Sequence, residues 1–147
     1  MFRNAIILLT LLFCVASLAC QSYTTGLQQS VERADETAAT GALHTIALAE
    51  QTYSASHEGA FGTFQQLSEA GYLDERFSSS QPTVKDYVLT IEVRPKTEDT
   101  AEAFYSCKAD PARPQLQGRH FYIDSTSSAL HVSPNAPATA NDPIAQP

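Results

Sequence analysis

Cysteine, histidine and carboxylate side chains have the most chemistry to offer in this chain, and their spacing limits what it can be. The cysteines are Cys14, Cys20 and Cys107, with no CxxC pair and no Cys/His spacing of the kind that grips a metal. His44, His57, His120 and His131 are scattered, so no metal set is expected. Cys107 falls on the inward side of a predicted strand, where a thiol is shielded and inert. Glu32, Asp35 and Glu36 read as a solvated helix face. Asp110, Arg113, Arg119 and Asp124 cluster near loops and suit a surface pairing network or a partner contact, where each exposed pair contributes only ~0–1 kcal/mol. The serine-rich run 125–128 has no His/Asp constellation to activate a nucleophile. These residues predict a protein that is not an enzyme and that carries no cofactor and no metal.

Cys20 stands apart because of what precedes it. Arg3 is followed by the apolar run Ala-Ile-Ile-Leu-Leu-Thr-Leu-Leu-Phe-Cys-Val from Ala5 to Val15, then by small residues ending at Ala19-Cys20. Charged, apolar and small residues in that order make a secretory signal. With cysteine directly after the small residue, the stretch resembles a bacterial lipoprotein signal. That resemblance implies acylation of Cys20, which becomes the mature N-terminus, and a membrane contact through the lipid. Gln21 after the cysteine implies, by the sorting habit of lipoproteins, the outer membrane of a two-membrane cell; the address is otherwise the cell surface or the periplasmic face. The alternative is ordinary cleavage near Ser17-Leu18-Ala19, which leaves Cys20 a free thiol and opens a Cys20–Cys107 disulfide in an oxidising compartment.

Cleavage before Cys20 removes 19 of the 147 residues and leaves 128, which suits one domain. The net charge moves from −7 to about −8 as Arg3 leaves. An acidic surface argues against nucleic acid and against an electrostatic grip on anionic lipid. After the signal, no apolar run approaches the ~20 residues needed to span a bilayer.

Four segments are expected: a signal over 1–19, a lipid-anchored polar tether over 20–29, a folded domain over 30–132 and a tail over 133–147. From Ser30, an acceptable N-cap, the residues Val31, Ala34, Ala38, Ala42, Leu43, Ile46, Ala49 and Tyr53 recur at three- and four-residue steps and predict a helix ending near Ser56. Its other face holds Glu32, Arg33, Asp35, Glu36, Thr40, His44 and Glu50. A short helix over 63–71 is signalled by Thr63 with Gln66 three residues on, a capping box, and by Gly71 at its end. Residues 78–82 read as a loop. The period then drops to two, giving strands near 87–93, 103–109, 119–124 and 129–132. After Val132 the chain is rich in Pro, Ala and Asn, a composition that predicts a mobile tail. Helices followed by strands mean an α+β fold, with the long helix laid across a three- to four-stranded antiparallel sheet.

That order, the run from Ala38 to Tyr53 (AATGALHTIALAEQTY), the stretch from Gly62 to Leu73, Tyr87, Phe104-Tyr105, Gly118 to Asp124 (GRHFYID) and Ala138 to Pro143 (ATANDP) resemble the globular heads of type IV pilins and type II secretion pseudopilins. The resemblance covers about Val31 to Pro143. The basic leader, the peptidase site and the apolar half-helix with its glutamate are absent from this sequence. The resemblance thus implies a pilin-type head on a lipid anchor, contacting pilus, secretion or other envelope proteins without polymerising in the usual way. The second expectation, from a different class, is a small-ligand- or substrate-binding envelope lipoprotein.

Overall fold

The computed structural model describes residues 2–97, 102–113 and 118–146, with side chains described at Leu27 and from 29 onward. The chain divides into two compact units, Met1–Ala34 and Asp35–Pro147. The signal and Cys20 lie outside the residues whose side chains are described. Among the described residues, no helix is long and apolar enough to cross a membrane.

The first element, α1 (Phe2–Ser56), does not begin at Ser30. Ser30 lies inside it, so its expected role as N-cap is overturned. The stretch read as a tether, QSYTTGLQQ, contains no proline and only one glycine, and nothing in it stops a helix. Within the second unit, α1 buries Ala39, Ala42, Leu43, Ile46, Ala47, Ala49, Glu50 and Tyr53. The three- and four-residue spacing of the predicted stripe accounts for this face from Ala42 onward. Its expected beginning does not hold, because Val31 and Ala34 are exposed. Leu48, on the opposite face, is 65% exposed. At the helix end, Gly59 N–H donates to Ser54 O at 2.9 Å with Gly59 at φ +85°, a left-handed conformation that glycine takes without a Cβ penalty.

The second helix, α2 (Phe64–Glu69), forms as the sequence predicts. Thr63 Oγ1 accepts from Gln66 N–H while Gln66 Oε1 accepts from Thr63 N–H, the full capping box. At the other end, Gly71 N–H donates to Ser68 O and Tyr72 N–H to Leu67 O, a Schellman closure that needs Gly71 at φ +77°. The chain turns back through a 3-10 helix (Glu75–Phe77), whose Phe77 is buried.

Five strands follow, not three or four: β1 (Thr83–Val84), β2 (Tyr87–Arg94), β3 (Phe104–Pro111), β4 (His120–Asp124) and β5 (His131–Ser133). They pair in sequence order as an antiparallel meander. The unanticipated strand is β1, whose two residues are too few to show a period. The register sets Leu89, Ala109 and Phe121 in one row and Ile91, Cys107 and Ile123 in the next. These rows share one core with Leu43, Ile46 and Tyr53 of α1, with Ile91 at its margin. The fold is thus α+β, one long helix packed on an antiparallel sheet.

The C-terminal segment departs from its expected mobility. Val132 N–H donates to Pro143 O at 2.9 Å and Ala145 N–H to Leu130 O at 2.7 Å, so the segment pairs with the outer edge of β5 at the bridge between His131 and Ile144. Asp142 organises it from within: its Oδ2 accepts from Thr139 N–H and Oγ1, both at 2.8 Å, and its carbonyl lies 2.6 Å from His131 Nδ1. Ala138 is fully buried. These bonds offset the ordering entropy that the composition alone had left unopposed.

Candidate functional site

A groove of about 400 Å³ opens where α1, the 3-10 helix and β1 converge. Small side chains make room for it: Ala38, Ala42 and Thr45 from α1 face Phe77, Thr83 and Val84. Arg76 and Lys85 add the two cations of its lining. Asp74 caps the 3-10 helix through Arg76 N–H at 2.9 Å and holds the Arg76 guanidinium at 2.7 Å. Hydrogen bonding to Arg76 keeps the Asp74 carboxyl below the usual carboxylate range, and the same pairing raises the arginine. Lys85 stands at φ +54°, in the turn between β1 and β2. A non-glycine residue in that region persists only where its surroundings hold it.

The loop after β3 is tied down beside this groove. Arg119 N–H donates to Glu36 Oε1 at 3.0 Å, and the Arg119 guanidinium donates to Glu36 Oε2 at 3.1 and 2.7 Å. That clasp joins α1 to the start of β4 across 83 residues of sequence. Arg113 pairs with Asp86 at 2.8 Å, and His120 Nδ1 lies 2.5 Å from Asp110 Oδ1. Tyr87 donates its hydroxyl proton to Arg119 O at 2.9 Å. Gly118 is the close approach that allows this, since a Cβ built there would overlap the Tyr87 hydroxyl.

The expected network of Asp110, Arg113, Arg119 and Asp124 is therefore not one network. Each has a separate partner, and Asp124 is buried: it accepts from Tyr122 OH at 3.0 Å and from Thr126 N–H at 2.8 Å. Burial, with the bond to Asp124, pushes the Tyr122 phenol up to about 12. Residues 114–117, between Arg113 and Arg119, lie outside the described residues. Glu36 is no simple solvated face residue, because it holds Arg119. Cys107 is a free, fully buried thiol that burial pushes far above its ordinary range, consistent with the inert reading. His44 is exposed. Among the described residues, no group of three or more His, Cys, Asp or Glu is placed to hold a metal ion.

Glu50 is the residue the sequence misplaced. Its charge places it on the expected polar face, yet it is 0% exposed. Gly62 N–H donates to its Oε2 at 2.9 Å, while Oε1 is buried with no partner among the described residues. Burial raises its pKa from 4.5 to about 7, opposed in part by the Gly62 bond. The Tyr105 hydroxyl is likewise buried and unpartnered. Burial, then the nearby Glu50 charge, lifts that phenol well above its usual range. A signal was present in the spacing. Glu50 sits four residues after Ile46 and three before Tyr53, on the core face, and only its charge argued otherwise.

Comparison of the chain with protein families, with curated proteins and with solved structures finds no match.

Proposed function

We propose that this chain is a non-enzymatic interaction module of the bacterial cell envelope, tethered by a lipid on Cys20 and contacting pilus, secretion or other envelope proteins through its head. The observation that carries the reading is the order of elements: one long helix, a capped short helix, then an antiparallel meander on which the long helix packs. The pilin-head resemblance requires that order. The contact surface in this reading is the rim of the groove from Arg76 to Lys85, with the neighbouring loop that Arg113 and Arg119 pin, since binding residues concentrate on loops held by a rigid scaffold.

A second reading has one observation in its favour. The volume of the groove falls within the range of small-molecule sites, roughly 300–1,000 Å³. A photo-cross-linking residue in place of exposed Lys85, in intact cells, separates the two. The interaction module predicts discrete adducts with envelope proteins. Absence of any adduct, together with a thermal shift on adding a small metabolite fraction, would favour the ligand-binding reading. Electron microscopy of the purified mature protein supplies a further check: the reading predicts no filaments from this chain alone, and ordered filaments at near-physiological salt would overturn it.

A further inference from the structure

The link between α1 and α2 is short and conformationally constrained, and the Glu50 carboxyl holds its backbone to the interior. Glu58 at φ +53° and Gly59 at φ +85° turn it. Phe61 then lays its ring against Tyr105, centroids 4.8 Å apart, and Gly62 N–H reaches Glu50 Oε2. Beneath the link lie two buried oxygens without a partner among the described residues, Glu50 Oε1 and Tyr105 OH. The groups facing Glu50 are Tyr105 and Cys107 from β3, with Asp124 of β4 acting on Tyr105. Around Gly62 they are Tyr53 of α1 and apolar Leu67 of α2. Within the link His57 stacks on Tyr53, ring centroids 3.7 Å apart, with Nδ1 2.9 Å from Tyr53 O, and Glu58 is exposed. Among the described residues, no cation acts on Glu50 itself.

We propose that residues 57–63 form a lid over Tyr105 that Glu50 latches as a neutral acid and releases as a carboxylate. The neutral acid keeps Gly62 N–H on Oε2 and carries its proton on Oε1, so the interior holds no charge. The carboxylate spreads its charge over both oxygens with Gly62 N–H as the one donor to them among the described residues, and a buried charge so thinly solvated is far costlier than an unpaired neutral group. Lifting the lid brings water to Oε1 and uncovers the Phe61 and Tyr105 rings. The sign follows from the raised pKa. The closed state binds the proton more tightly than the open one, so closure is fully favoured below pH 4.5 and is lost as pH rises through about 7. The lid is a feature of the fold itself and holds whether or not the envelope reading does.

Amide hydrogen exchange on the full chain between pH 4.5 and 8, corrected for intrinsic rates, tests it. The Gly62 amide should lose protection about tenfold per pH unit up to about pH 7 and then level off, a total of at most roughly 300-fold. Amides of Cys107 and Ala109 should keep theirs. Glu50→Gln retains an acceptor for Gly62 and should show flat protection at all these pH values. Flat wild-type protection, equal loss at Cys107, or an unchanged pH profile in Glu50→Gln would each overturn the lid. Should the variant fail to fold, the Glu50 carboxyl carbon shift in the wild type decides. Its midpoint must coincide with the levelling of Gly62 exchange, and a midpoint in the ordinary carboxylate range refutes the latch.

Discussion

Replacing Ile46 by alanine should cost about 2.5–4 kcal/mol, and the structure supplies the reason. Ile46 is 0% exposed on the face of α1 that shares a core with Leu89, Phe121 and Ile123. The substitution deletes three buried carbons, worth about 2.4 kcal/mol at ~0.8 kcal/mol each. The cavity left behind adds up to ~1.8 kcal/mol, if roughly 75 Å³ stays unfilled at ~24 cal/mol per Å³. Against a total stability of ~5–15 kcal/mol this is a large fraction. Ile46→Val should cost only ~0.5–1.5 kcal/mol. Two residues on, Leu48 is 65% exposed, and Leu48→Ala should stay within about ±0.5 kcal/mol. The chain has no tryptophan, so urea unfolding is best followed by circular dichroism at the helix band. A loss below about 1 kcal/mol at Ile46, or equal losses at Ile46 and Leu48, would refute the packing of this helix face on the sheet.

Three further outcomes follow from named contacts. Gly118→Ala should cost about 1–3 kcal/mol by crowding the buried Tyr87 hydroxyl, and Tyr87→Phe in the same chain should recover part of that loss; additive losses in the double variant would exclude the clash. Glu36→Gln should lower stability by about 1 kcal/mol at low salt and by less at high salt, because Arg119 is half exposed and the pair is open to screening; denaturant curves at two ionic strengths decide it. Cys107 should not react with a thiol-specific disulfide reagent in native protein and should react fully in urea; rapid native labelling would mean that the thiol is not core.

The parts of the fold that repeat a local rule were legible in the sequence. Thr63 and Gln66 marked the start of α2, and Gly71 marked its closure one residue past the Ala70 cap, since caps are written in residue types at fixed offsets. The alternation over Tyr87–Val93 marked the face of β2 on which Tyr87 and Leu89 are buried. What escaped rests on long-range pairing. Thr83 and Val84 become a strand only because β2 returns beside them, and the proline-rich C-terminus is ordered only because Leu130 and Val132 offer it an edge. The Glu36–Arg119 clasp spans 83 residues and leaves no local mark. Glu50 was hidden by its own charge, because burial of a carboxyl on a core face runs against type preference although its position fits. The groove was legible in part: its Thr83–Lys85 wall adjoins the segment read as a loop, while Ala38 and Ala42 of the opposing α1 wall read simply as core.

The membrane tether is the claim on which the proposed function depends, and the mass of the mature protein tests it most directly. Full-length chain expressed in a lipoprotein-processing bacterium should fractionate with membranes, require detergent for extraction and show an N-terminal Cys20 fragment carrying acyl chains. A single chain holds a protein only marginally, so more than one is expected. Cys20→Ser should shift the protein to the soluble fraction without an acyl increment. A wild-type protein recovered soluble, with an unmodified Cys20 or with cleavage before it and no added mass, would contradict the account.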